Sequence, residues 1–284
     1  MVIEYLQGTI GYFQCMMRAI VKTWIFLFLV HGVLGQAPEN PTKNQISQIF
    51  PAKRLNKKYL FKFPGRYEEH FIRVRDGILL NALLFHSDQM PKGVILYLHG
   101  NTGGMEKWGK LAPYYTVLGY DFMIVDYRGY GKSEGSIKNE GQLFDDLQIT
   151  YDSLKNLYPQ NKIVIMGYSI GTGPAAMLAS SNQPEKLILD APYYSLLDAV
   201  KQKYPAATSQ DLAFYLETYS FLPKISCRIA IFHGDSDSEF YYGGSLKLKS
   251  LFKPGDTLIT LKGQDHSDFE RNAVYLASLQ SILP

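Results

Sequence analysis

The chain has 284 residues, 46% hydrophobic and 19% charged, which suits one well-buried globular domain and excludes a disordered or fibrous protein. A net charge of +3, spread along the sequence without a zinc-finger or RNP-type signature, argues against nucleic acid as a partner. The only cysteines are Cys15 and Cys227, too few for a disulfide framework, and Cys227 precedes an apolar run as a small packed hydrophobe would. No His/Cys/Asp group has metal-ligand spacing, so neither a metal nor another cofactor is expected.

In chain order, the first feature is the apolar run Trp24-Ile25-Phe26-Leu27-Phe28-Leu29-Val30, preceded by Arg18 and Lys22 and followed by Gly35. A charged n-region, a short apolar h-region and a small residue for cleavage predict a signal peptide over residues 1–35, with export to a periplasmic or extracellular space. The run is shorter than the roughly 20 residues of an ordinary spanning helix, which leaves an uncleaved membrane tether as the alternative. Met16 or Met17 would make a more ordinary start for such a leader. Residues 36–66, rich in Pro, Asn and Lys, read as a linker or an arm lying across the domain, and the domain itself is expected over 67–284.

Short apolar runs then follow at 71–75 and 78–85, a hairpin around Asp76-Gly77, and at 94–98, 122–125, 163–166, 187–189, 229–232 and 257–261. Helix-length amphipathic stretches lie at 107–118, 140–157, 170–181, 244–251 and 268–282. This alternation predicts an α/β fold: a mainly parallel eight-stranded sheet with helices on both faces. Ligands of such sheets bind at the carboxyl ends of the strands. His99-Gly100-Asn101, Ser169, Asp237 and His266 each follow a strand-like run, so four chemically useful positions converge on one rim.

Gly167-Tyr168-Ser169-Ile170-Gly171 closes one apolar run and opens a small-residue segment, where a buried strand would turn directly into a helix. The pentapeptide alone arises by chance in roughly one chain in ten of this length, so its context carries the weight. A sharp strand-to-helix turn has no room for side chains two residues either side of the serine, and it sets the hydroxyl above a helix N-terminus. Two other motifs compete with it. Gly131-Lys132-Ser133 resembles the end of a phosphate-binding loop, but Asp126 stands where that loop needs glycine. Gly171-Thr172-Gly173-Pro174-Ala175-Ala176 fits a dinucleotide fingerprint, with Asp190 near the ribose position. Against that reading, the tight turn already falls at Gly167, and Pro174 is tolerable only in a first helical turn.

Leu98-His99-Gly100-Asn101, Asp126-Tyr127-Arg128-Gly129-Tyr130-Gly131-Lys132-Ser133, Gly167-Tyr168-Ser169-Ile170-Gly171, His233-Gly234-Asp235-Ser236-Asp237 and Gly263-Gln264-Asp265-His266, in this order, resemble the α/β-hydrolases over residues 67–284. The resemblance extends to a small-cap branch of esterases, acylglycerol lipases and acyl-protein thioesterases. It implies a triad of Ser169, Asp237 and His266 acting through an acyl-enzyme, with the backbone N–H groups of Asn101 and Ile170 as oxyanion hole. His266 would take the serine proton, and the carboxylate would fix its tautomer. Asp235, Asp237 and Glu239 all lie in the right loop; the His-Gly-x-x-Asp spacing selects Asp237, and Asp190 is a further candidate because some members carry the acid after the earlier strand. His99 is expected to support its loop from below, and Asp265 to be a turn residue.

The interval over about 191–227, with Tyr193, Tyr194, Tyr204, Tyr215 and Tyr219, would be a short cap over an open cleft. That implies a small-molecule or lipid acyl substrate and peripheral membrane contact, with ester, thioester and peptide all open, as is the oligomeric state. The alternatives are a non-catalytic binding protein of the same fold and a dinucleotide-binding protein.

Overall fold

Each apolar run forms a strand of one sheet: β1 (Tyr67–Arg73), β2 (Leu79–Phe85), β3 (Gly93–Leu98), β4 (Tyr120–Val125), β5 (Ile163–Tyr168), β6 (Lys186–Asp190), β7 (Arg228–Gly234) and β8 (Thr257–Leu261). The computed structural model describes residues 46–283, of which those from Phe50 onward belong to one compact unit. The expected leader and its cleavage site lie outside the described residues.

The strand order is β1-β2-β4-β3-β5-β6-β7-β8, with β2 alone running against its neighbours. Strands β3, β4 and β5 are buried along their whole length, which is why they read as unbroken apolar runs and not as alternation. Asp76 and Gly77 take φ of 63° and 73° between β1 and β2, a conformation that accounts for the Asp-Gly pair.

From Phe50 onward the helices are α1 (Met105–Trp108), α2 (Ala112–Thr116), α3 (Glu140–Lys155), α4 (Thr172–Ser181), α5 (Leu196–Lys201), α6 (Thr218–Phe221), α7 (Gly243–Lys249) and α8 (Ala273–Ile282). Side chains of α1, α2 and α8, among them Trp108, Tyr115, Tyr275 and Leu279, share a core with Tyr97, Phe122, Met166 and Phe232 from one face of the sheet. On the other face α4 lies against β5, where a Cβ on Gly167 would come within 2.7 Å of Ala175 Cβ.

The helix expected over 107–118 is broken into α1, a 3-10 turn at Gly109–Leu111 and α2. Gly109 meets the Phe63 ring, where an added Cβ would stand 2.6 Å away, and Pro113 occupies the first turn of α2. Likewise the helix expected from 268 begins at Ala273, because Asp268 is left-handed at φ 65° and Asn272 caps the helix by accepting from the N–H groups of Val274 and Tyr275.

Residues 50–66 run across this unit. Leu55 N–H donates to the Gly131 carbonyl and Gly131 N–H to that of Lys53, while Phe61 and Phe63 extend the aromatic core toward Tyr67 and Phe85.

Candidate active site

Ser169 follows the last residue of β5 and has φ of 54°, a left-handed conformation rare for a residue with a side chain. The glycines beside it are demanded by contact. A Cβ on Gly167 would lie 2.6 Å from the Gly171 carbonyl oxygen, and one on Gly171 would fall on the carbonyl of Leu98 in β3. The turn is therefore held between two strands and α4, and it presents a serine that is 6% exposed at the sheet's rim.

The loops after β7 and β8 bring the partners to it. His266 Nε2 is 2.8 Å from Ser169 Oγ, and its Nδ1 is 2.8 Å from Asp237 Oδ2. With a carboxylate acceptor at Nδ1, that nitrogen carries the proton and Nε2 is left to accept from the serine hydroxyl. The other carboxylate oxygen of Asp237 accepts from the backbone N–H groups of Glu239 at 2.8 Å and Phe240 at 2.9 Å. Burial pushes the Asp237 carboxyl up, but the hydrogen bonds from His233 and His266 outweigh it, and the net result lies well below the usual carboxylate range. Asp237 is thus an anion at every pH near neutrality.

The other acid candidates stand elsewhere. Asp235 Oδ1 accepts from Gly263 N–H at 2.6 Å and ties the two loops together. Asp190 is buried beneath the site and accepts from the Tyr275 hydroxyl at 2.8 Å, with its own Oδ1 unpartnered. Burial raises its pKa to about 8, against a smaller lowering by Tyr275. Glu239 serves Asp237 through its backbone. Asp265 is more than a turn residue, since its Oδ1 accepts from both the N–H and the hydroxyl of Ser238 and so bridges the same two loops.

The loop that begins at His99 is pinned from beneath. The His99 ring is fully buried, donates through Nδ1 to the Gly100 carbonyl at 2.7 Å and stacks on Tyr127, whose hydroxyl donates to the His99 carbonyl. Tyr130 donates to the Asn101 carbonyl at 2.6 Å, and Asp126 accepts from Met105 N–H at 2.9 Å. These bonds fix the backbone at Asn101 while Ile170 follows the serine. The Asp126-to-Ser133 segment, legible as a motif, is what holds this loop.

Two supporting groups were not read from the sequence. Tyr168 donates to the His266 carbonyl at 2.7 Å, and His233 touches Asp237. The His-Gly-x-x-Asp spacing, which puts His233 four residues before Asp237, carried that second signal. The segment expected to form the cap packs against the elbow: the buried Tyr193 hydroxyl donates to the Ile170 carbonyl at 3.1 Å. Two aromatic residues of the same segment, Tyr194 and Tyr219, stack with centroids 4.7 Å apart. A Cβ on Gly173 would strike the Tyr193 hydroxyl, so the space a dinucleotide would use beside that glycine is filled by the protein's own ring. Cys227 is half-buried and unpaired, its thiol pushed up to about 11 by burial, which leaves it inert. Among the described residues no group of three or more His, Cys, Asp or Glu could hold a metal ion.

Sheet order, elbow and rim define an α/β-hydrolase fold. A family model described as the alpha/beta hydrolase fold matches residues 93–219. It is 26% identical over 195 residues to alpha/beta hydrolase domain-containing protein aho-3 of Caenorhabditis elegans, covering 66% of this chain and 57% of that one. Protein bem46 of Schizosaccharomyces pombe is 32% identical over 170 residues, covering 58% of this chain and 57% of that protein. Lysophosphatidylserine lipase ABHD12 of Macaca fascicularis is 29% identical over 209 residues, covering 64% and 52%. The chain thus spans somewhat more than half the length of these relatives. Among solved structures, the Pyrococcus furiosus esterase Pf2001 superposes with a TM-score of 0.65 at 16% identity, covering 83% of this chain and 95% of that one, a likeness of fold.

Proposed function

We propose that the chain is a serine hydrolase that cleaves a carboxylic ester or related acyl substrate through an acyl-enzyme. The observation that carries this reading is His266 standing 2.8 Å from both Ser169 Oγ and Asp237 Oδ2, with the strained elbow beneath it.

The chemistry follows from the protonation states. A serine hydroxyl is a poor nucleophile near pH 7, so Nε2 of His266 takes its proton as Oγ attacks the acyl carbon. Ionised Asp237 stabilises the resulting imidazolium and holds the ring in place. The tetrahedral oxyanion then meets the N–H groups of Ile170 and Asn101, the first at the start of the helical turn below Ser169, the second on the loop pinned by Tyr130 and Asp126. His266 returns the proton to the leaving group, and water attacks the acyl-enzyme with the same histidine as base. The names of the relatives, a lysophosphatidylserine lipase among them, and the aromatic cap favour a lipid or small-molecule ester over a peptide.

Hydrolysis of ester, thioester and peptide panels by the purified chain, beside Ser169→Ala, tests this reading. Loss of roughly 10⁴–10⁶ in kcat on replacing Ser169 is expected. Undiminished hydrolysis by that variant would overturn it.

A further inference from the structure

His233 entered the sequence reading only as part of the motif that selects Asp237, but its surroundings give it a task. It lies on β7, wholly buried, with Nε2 3.2 Å from Asp237 Oδ2 and 3.0 Å from the Phe240 carbonyl oxygen. Its Nδ1 is 2.6 Å from the hydroxyl of Ser245, on α7 and also buried. A carboxylate and a carbonyl can only accept, so Nε2 must carry a proton. The Ser245 hydroxyl meets Nδ1 from the other side and fixes the orientation of the ring. That N–H donates to the Phe240 carbonyl, and it also stands against Asp237 Oδ2, the oxygen that receives Nδ1–H of His266.

We propose that His233, aimed by Ser245, is a positioning residue for the triad: its Nε2–H, divided between the Phe240 carbonyl and Asp237 Oδ2, leaves part of its positive end on the oxygen that His266 uses and so sets both the angle and the proton-attracting strength of that carboxylate. The inference rests on the serine-hydrolase reading. A carboxylate oxygen that already accepts one N–H attracts a second less strongly, so His233 moderates how far Asp237 stabilises the His266 imidazolium. The histidine is then free to act as base at a lower pH than it would be opposite a less encumbered aspartate.

The other titratable groups near this cluster are Glu239 on the same loop, Asp265 and Asp268 after β8, Tyr168 at the end of β5 with its ring 5.4 Å from that of His266, and Tyr242 beside His233 at 5.7 Å. None of them is itself substituted when His233 alone is changed.

The test measures, on the full chain, the rate constant of labelling by a fluorophosphonate probe from pH 5 to 9 for wild type, His233→Gln and His233→Phe, each with a melting curve. Phenylalanine keeps the ring and removes the donor; glutamine keeps an N–H near the place of Nε2. His233→Phe is expected to move the acid limb of the profile up by on the order of one pH unit, with a plateau roughly tenfold lower, and His233→Gln to restore the limb. A role in packing alone would lower the plateau without moving the limb, so a folded phenylalanine variant with an unmoved limb overturns the inference. ¹⁵N NMR of the wild-type imidazoles at pH 8 gives a second reading that no variant can spoil by misfolding: a proton on Nε2 of His233 supports it and a bare Nε2 overturns it. A wild type that the probe does not label overturns the hydrolase reading and this inference with it, whereas a labelled wild type with unmoved variants overturns the inference alone.

Discussion

At the scale of single residues, the three aspartates near the site differ in what surrounds their oxygens. Asp237 has hydrogen-bond donors on both oxygens, Asp235 is turned to the backbone of Gly263, and Asp190 looks into a tyrosine cluster. The sequence ranked them by motif spacing alone, since a carboxylate's partners come from loops that are distant in the chain. Replacing Asp237 with asparagine keeps its size but favours the wrong tautomer of His266, so kcat is expected to fall by about 10⁴ near neutral pH. Asp235→Asn and Asp190→Asn should stay within roughly tenfold of wild type, a barrier change below about 1.4 kcal/mol. The two buried acids also differ in sign with pH. Asp237 is held below its unfolded value near 3.9, so its contribution to stability is present above that pH and is lost as pH falls through the still lower folded value. Asp190 is raised to about 8, so the folded state keeps a proton that the unfolded state has lost, and stability falls as pH rises from about 4 to 8. Melting curves at pH 4 and pH 8 check this: Asp190→Asn should gain on wild type at the higher pH, and an equal offset at both would contradict it.

Among the elements, the elbow shows how little freedom the local sequence has. Gly171 packs against the carbonyl of Leu98, a central-strand atom that cannot move aside, so Gly171→Ala is expected to cost about 1–3 kcal/mol and to depress activity with it. Gly263 also has a positive φ, 68°, but an added Cβ there meets nothing within 4 Å; its replacement by alanine should cost only about 1 kcal/mol. Denaturant unfolding of the two variants separates contact from conformation, and equal losses would contradict the distinction. The elbow was legible because glycine spacing is itself the signature of crowding. The break between α1 and α2 was less so, since what interrupts it is Phe63 from the preceding arm, and only Pro113 announced it locally.

Across the whole molecule, the alternation of apolar runs and helical stretches gave all eight strands, because buried parallel strands are continuous in apolar character. Residues 50–66 carry no such period, for they are held by the backbone of Gly131 and by aromatic contacts with residues far along the chain. The leader expected at 1–35 belongs to the same scale. Expression in an exporting host should give protein outside the cytoplasm with a new N-terminus near Gln36, and a full-length soluble product would contradict both export and a tether. The convergence of Ser169, Asp237 and His266 from the ends of three strands and loops is the property on which the account depends. Its most direct measurement is peptide mapping by mass spectrometry after reaction with a fluorophosphonate: the account predicts a single adduct on Ser169 that is absent in Ser169→Ala and much slower to form in His266→Ala, whereas labelling elsewhere, or none at all in the folded wild type, would contradict it.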